Sequence, residues 1–170
     1  MINSPYMLLA LDLSSFVGYA VGRTNDRPAF GTYKVKGIAK DLGPFCVNFN
    51  TWLRADMIAR YRPDRIVFES PVVTFFKTTK ATSRMLMGLC WHVEFVCAEL
   101  GIECREGAVR DIKGFWASNR NAKKPDMIQA ALNYGFAVSD DNQADALGLW
   151  HMSAGQAKLT ELGALGARAR

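Results

Sequence analysis

The chain has 170 residues, of which 49% are hydrophobic and 22% are charged, with a formal net charge of +5. This length fits one domain with a sizeable core, and interspersed charges argue against wholesale disorder. The basic balance favours a polyanionic partner without establishing one. There is no signal peptide and no uncharged stretch near the ~20 residues that span a membrane, so we expect a cytoplasmic protein.

The cysteine pattern does not predict a zinc site. The chain has no CxxC pair, and only two histidines could assist the cysteines Cys46, Cys90, Cys97 and Cys104. Cys90 and Cys97 stand seven residues apart in an apolar segment, where free cysteines are usually buried. Reduced thiols would again fit the cytosol.

The first part of the chain predicts three strands. Residues 7–13 form an apolar run with one acid inside it, which is typical of a central strand buried on both faces. After a turn at Ser14 and Ser15, residues 17–22 and 30–35 predict two further strands. Because the links are short, we expect an antiparallel meander.

The rest of the chain alternates helices and strands. Residues 41–60 predict a helix, and residues 65–70 a strand that ends in an acid. A long helix at 78–100 and a strand at 102–106 come next, followed by helices at 109–116, at 125–134 and from 140 or 141 to about 157. The helix-linked strands should add in parallel.

The predicted architecture is therefore an α/β fold. It has a five-stranded mixed sheet, with three antiparallel strands followed by two parallel ones, flanked by helices. We expect a single domain over residues 1–157 and a basic, Ala/Gly-rich tail at 158–170 that frays.

Two carboxylates stand at the ends of predicted core strands. Asp12 closes the first apolar strand and Glu69 closes the fourth. Burying such a charge is costly unless it is paired or bound to a metal, and adjacent strand ends lie roughly 5 Å apart. The alternatives are a turn cap for Asp12 and a salt bridge for Glu69.

A third group of acids opens the last predicted helix. Asp141 and Asp145 are four residues apart and share one helix face, as do Asn142 and Asp145, while Asp140 is expected to cap the helix. Carboxylates without histidine or thiolate suit Mg²⁺ or Mn²⁺. Two such ions can assist phosphodiester hydrolysis.

Asp12, Glu69 and Asp145 lie within motifs that resemble a known family. The segments Leu9-Ala-Leu-Asp-Leu-Ser-Ser15, Val67-Phe-Glu-Ser70 and Asn142-Gln-Ala-Asp-Ala-Leu147 are similar in order and spacing to the RuvC-like Holliday junction resolvases. That family belongs to the RNase H-like superfamily. The resemblance covers residues 7–154. It implies an RNase H-like fold and an endonuclease that cuts four-way DNA junctions with two Mg²⁺ ions, leaving a 5′-phosphate and a 3′-hydroxyl.

The resemblance also implies roles for particular acids. Asp12, Glu69 and Asp145 match the family's catalytic metal ligands. The family carries another acid or histidine three residues before the last ligand, where this chain has Asn142. The fourth ligand is therefore Asp141 or Asn142, and we prefer Asp141.

Basic and aromatic side chains complete the expected DNA-binding surface. By resemblance, Lys113, Lys123 and Lys124 contact phosphates, with Arg110 a weaker candidate; the alternative is a solvated basic face. Phe75 or Phe76 could stack on, or wedge between, bases at a junction, the alternative being a hydrophobic staple for the next helix.

The long helix at 78–100 is the expected dimer element. The resemblance implies a homodimer through it, which would match two active sites to a two-fold junction, with Gly88 allowing close approach. Core packing is expected for most of one helix face, namely Met85, Leu89, His92, Val93 and Val96. His92 and His151 are expected to be packed or hydrogen-bonded rather than catalytic.

Three other functions remain open from the sequence. The opening of the chain, Leu11-Asp-Leu-Ser-Ser15 with Gly18, also resembles actin-like sugar kinases, but those have two such domains and glycine-rich phosphate loops. A non-catalytic DNA-binding module would fit an incomplete metal site. An RNase H-like nuclease could instead act on forks, flaps or RNA–DNA hybrids.

Overall fold

The computed structural model describes residues 4–37, 40–71 and 79–168, with side chains described up to residue 155. Its strands are β1 (Met7–Asp12), β2 (Phe16–Arg23), β3 (Ala29–Lys34), β4 (Arg65–Glu69) and β5 (Glu103–Gly107). Its helices are α1 (Leu42–Thr51), α2 (Ala59–Tyr61), α3 (Lys80–Leu100), α4 (Val109–Ala117), α5 (Lys124–Asn133) and α6 (Asp141–Arg168), with a π-helical segment at Trp52–Ile58.

The five strands form one mixed sheet in the order β3-β2-β1-β4-β5. β1 pairs antiparallel with β2, and β2 with β3, whereas β4 and β5 add in parallel. Residues 8–11 of β1 are fully buried, as expected of a central strand that is covered on both faces of the sheet. The predicted five-stranded mixed sheet is confirmed.

Alternate residues of β1 face two different cores. Leu9 and Leu11 pack with the residues of α1 and α3, whereas Leu8 and Ala10 pack with those of α4, α5 and α6. Asp12 is two residues after Ala10 and four after Leu8, so its side chain points to the same face of the sheet, the one that packs against α6. The indole Nε1 of Trp150 donates a 3.1 Å hydrogen bond to the Leu8 carbonyl and fastens α6 to this face.

Two helices differ from the prediction. The helix expected at 41–60 consists of α1, the π-helical segment and α2, because apolar spacing identifies a buried face but not the hydrogen-bond pattern. α6 continues to Arg168 instead of ending near residue 157. Residues 158–168 contain no proline, and their Ala, Leu, Glu, Lys and Arg favour a helix against the two glycines Gly163 and Gly166.

One face of α3 packs on the protein's own core. Thr79 caps the helix by accepting a 3.2 Å hydrogen bond from the Thr82 N–H, and Gly101 ends it in a left-handed conformation. Met85, Leu89, Val93 and Val96 are buried, together with Cys90 and Cys97. The core role expected for this face of α3 is confirmed, so a partner that binds α3 would contact its opposite face.

No described helix combines the length and apolar character that crossing a membrane requires.

Candidate active site

The parallel pairing of β1 with β4 brings the two strand-end acids side by side. Leu11 is the partner of Phe68 in the register, and Asp12 and Glu69 are the next residues along these strands. The spacing of neighbouring strands places their Cα atoms about 5 Å apart. The expectation that Asp12 and Glu69 stand together at one sheet edge is therefore met.

The start of α6 is fixed by Asp140. Its Oδ1 accepts a 2.9 Å hydrogen bond from the Gln143 N–H, and its Oδ2 accepts a 2.7 Å bond from the Thr32 hydroxyl on β3. The Gln143 side chain in turn accepts a 3.0 Å bond from the N–H of Ser139, the residue before the cap. Asp140 is a helix cap, as expected, and it ties α6 to the sheet.

Gly18 allows α6 to approach the sheet at this point. An added Cβ on Gly18 would lie 2.0 Å from the Asn142 carbonyl oxygen and 2.5 Å from its carbonyl carbon. Gly18 is also the β2 partner of Asp12. The first turn of α6 therefore rests directly on the backbone beside Asp12. We did not assign Gly18 this role from the sequence, although a glycine inside a strand often marks a close backbone approach.

The four acids share one electrostatic environment. The pKa of Asp12 is raised well above its usual range by burial and then by the charges of Glu69, Asp145 and Asp141. Burial, with a contribution from Asp145, raises the pKa of Glu69 to about 7. Burial, with a contribution from Asp141, raises the pKa of Asp145 to about 6. The structure thus brings the predicted acids together, including the preferred fourth candidate.

Two of the predicted basic residues face these acids. The Lys113 charge lowers the pKa of both Glu69 and Asp145, which opposes the effect of their burial. The Lys124 ammonium forms an ion pair with Asp141, and its charge also lowers the pKa of Asp12. Both cations therefore lie within electrostatic range of the carboxylates.

The other predicted DNA-binding residues are less closely tied to the site. Lys123 is the residue before α5, and its backbone N–H donates a 2.8 Å hydrogen bond to Asp126. Lys123 and Arg110 are exposed. Phe75 and Phe76 lie outside the described residues. DNA contact by these four residues remains a prediction.

The chemistry of the donors suits a hard divalent cation. The interacting groups are carboxylates, and their burial and mutual repulsion are what a bound cation would offset. As the side chains stand, however, no three Asp, Glu, His or Cys groups in the described part of the chain are arranged to hold an ion. A site that used Asp141 as a ligand would require its release from Lys124.

Solved structures resemble this chain over almost its whole length. Thermus thermophilus RuvC matches 91% of the chain and 97% of its own, with a TM-score of 0.64 and 15% identity. The same RuvC in complex with a Holliday junction substrate matches 92% and 97%, with a TM-score of 0.69 and 15% identity. No protein-family model matches the sequence, and neither does any curated protein.

A eukaryotic protein of known structure is also similar to this chain. The yeast mitochondrial Holliday junction resolvase Ydc2 matches 95% of this chain and 86% of its own, with a TM-score of 0.58 and 15% identity. This chain has a RuvC-like fold. In it, the three segments that carry the sequence resemblance meet at one edge of the sheet, at the ends of β1 and β4 and the start of α6.

Proposed function

We propose that the protein is a Mg²⁺-dependent DNA endonuclease that resolves four-way junctions in the cytoplasm of a bacterium or a phage-infected cell. The observation that carries this proposal is the meeting of Asp12, Glu69, Asp141 and Asp145 at one edge of a RuvC-like sheet. The RuvC structure with a Holliday junction substrate supports branched DNA as the ligand.

The carboxylates would hold two Mg²⁺ ions, or Mn²⁺ in their place. Asp12, Glu69 and Asp145 are the proposed principal ligands. Asp141 is preferred over Asn142 as the fourth, because its charge reaches Asp12 and Asp145, whereas the Asn142 backbone packs on Gly18. Bound Mg²⁺ would supply an activated water and stabilise charge at the phosphate.

Basic residues would position the DNA backbone. Lys113 already lies within electrostatic range of Glu69 and Asp145. Lys124 would exchange its ion pair with Asp141 for a phosphate when metal and DNA are present. We propose that Lys123 and Arg110 extend this contact, and that Phe75 or Phe76 wedges at the junction centre.

We propose that the exposed side of α3 forms a homodimer. Trp91 is 63% exposed, its ring stacks on that of Phe95 at 5.4 Å, and Met87 is exposed beside them. Gly88 has open space around its Cα, which permits close approach of a second helix. A two-fold dimer presents two active sites to a four-way junction, and an exposed aromatic patch is typical of such an interface.

A non-catalytic junction-binding module is the second candidate. Two observations favour it: Asn142 stands where the family has an acid or a histidine, and the described side chains do not form a finished ion cage. A nuclease for forks, flaps or hybrids would share the proposed site and differ only in substrate.

The decisive experiment compares labelled substrates in Mg²⁺ and in EDTA. The substrates are a four-way junction, a fork, an RNA–DNA hybrid and a linear duplex. Symmetric nicks in the junction, in Mg²⁺ only, are expected. Asp12→Asn should bind without cutting, and Asp56→Asn, at an exposed acid on the π-helical segment, is the matched control and should cut normally. Junction binding without cutting would support the non-catalytic module. Cutting of forks or hybrids, but not of junctions, would identify those nucleic acids as the substrate instead.

A further inference from the structure

An exposed aromatic residue and a lysine lie beside the acids on the same sheet. Phe16 opens β2 and is 46% exposed. Its cross-strand partner is Lys34 at the end of β3, whose ammonium lies 5.4 Å from the centroid of the Phe16 ring.

The strand pleat places both side chains on the α6 face of the sheet. Gly18 contacts α6 through Asn142, and Thr32 contacts α6 through Asp140. Phe16 is two residues before Gly18, and Lys34 is two residues after Thr32. Because side chains alternate along a strand, Phe16 and Lys34 point to the same face as these contacts and as Asp12.

Their distance from Asp12 follows from the register. Asp12 pairs with Gly18, so Phe16 is its diagonal neighbour across β1 and β2, at roughly 7–8 Å between Cα atoms. The turn between them is held firmly: the Ser14 hydroxyl accepts a 3.0 Å hydrogen bond from the Phe16 N–H and donates a 2.8 Å bond to the Phe16 carbonyl. These bonds fix the backbone of Phe16 beside Asp12.

We propose that Phe16 and Lys34 form a nucleotide subsite for the strand that flanks the cleaved phosphate. An unpaired base stacks on the Phe16 ring, and Lys34 pairs with the adjoining phosphate. Every base has a π-face, so such stacking is tolerant of sequence, and a lysine next to the ring adds backbone attraction. The proposal rests on the proposed nuclease function and adds a specific contact to it.

The competing explanation is structural. A cation over an aromatic ring on paired strands also stabilises a hairpin without any ligand. The two explanations differ in what they predict for bound DNA, because only a subsite changes the environment of a base near the cut.

The test uses the full chain carrying Asp12→Asn, which is expected to bind junctions without cutting them. The junction carries 2-aminopurine at the nucleotides flanking the cleaved phosphate. Phe16→Ala is expected to weaken binding about tenfold and to abolish the binding-induced fluorescence quenching. Lys34→Gln is expected to reduce the slope of log affinity against log salt by about 1 and to leave the quenching in place. Phe16→Tyr keeps an aromatic ring and should therefore retain both the binding affinity and the fluorescence quenching.

Two matched controls separate the subsite from general effects. Phe115→Ala removes an aromatic side chain of nearly equal exposure, 45%, which lies against Gly155 of α6, well beyond Asp145. Arg60→Gln removes a cation that lies 5.2 Å from the Tyr61 ring, and Tyr61 packs on the core at the face of the sheet opposite α6. Neither control should alter binding or quenching.

The outcomes distinguish this proposal from the proposed function. If the Asp12→Asn chain binds junctions but Phe16→Ala retains full affinity and quenching, the subsite is wrong and the nuclease proposal stands. If Phe16→Ala lowers only the melting temperature and Phe16→Tyr does not differ from it in binding, the pair is a hairpin stabiliser and the subsite is again wrong. Failure to bind any nucleic acid overturns both.

Discussion

Gly18→Ala is expected to impair catalysis without touching a carboxylate. The added Cβ would lie 2.0 Å from the Asn142 carbonyl oxygen, whereas real Cβ atoms essentially never come within 3.0 Å of another heavy atom. The first turn of α6 must therefore move by roughly 1 Å or more, because the obstacle is backbone and cannot rotate away. A misplacement of about 1 Å can reduce a catalysed rate about 100-fold.

The assay measures junction cleavage, Mg²⁺ dependence and stability together. We expect kcat to fall about 100-fold and the Mg²⁺ concentration for half-maximal cleavage to rise, because Asp141 and Asp145 move with α6. Forced overpacking should lower the free energy of unfolding by about 1–3 kcal/mol. Gly43→Ala is the control, since an added Cβ at Gly43 meets nothing within 4 Å.

The reasoning would be refuted by normal cleavage in a normally folded variant. If Gly18→Ala cuts the junction within about twofold of Gly43→Ala at saturating Mg²⁺, contact with Gly18 does not position the acids on α6. A loss of stability with unchanged kcat in the folded fraction would reduce Gly18 to a packing role.

Three other predictions concern the acids and the dimer. Asp12→Asn should lose cleavage but keep junction binding in a gel-shift assay, and cleavage at the wild-type rate would contradict the site. In EDTA at about pH 8, Glu69→Gln should stabilise the fold by up to about 3 kcal/mol, because the wild-type pKa of about 7 penalises the ionised form. The contribution of Glu69 to wild-type stability falls as pH rises from about 4.5 through 7, so the gain should vanish under acid conditions, and a pH-independent difference in urea unfolding would exclude this cause. Trp91→Glu should convert a dimer to a monomer by light scattering, with exposed Leu132→Glu as the control; a monomeric wild type would contradict the proposed interface.

The order and type of the elements could be predicted from the sequence because both depend on local patterns. The apolar run around Asp12 predicted a strand buried on both faces, the run before Glu69 predicted another core strand, and each acid was expected at a strand end. Asp140 was recognisable as a cap because capping needs only a few neighbouring residues. Helix length was less accurate, as α6 shows, because the end of a helix depends on weak propensities.

The composition of the site was decided by contacts between residues far apart in the chain. Gly18 against Asn142, Thr32 with Asp140, and Lys124 with Asp141 all depend on where α5 and α6 lie on the sheet. No local pattern encodes those placements, since they follow from how two separate cores fill the two faces of one sheet. The sequence by itself thus determined which acids end strands and open a helix, while the tertiary structure decided which groups surround them.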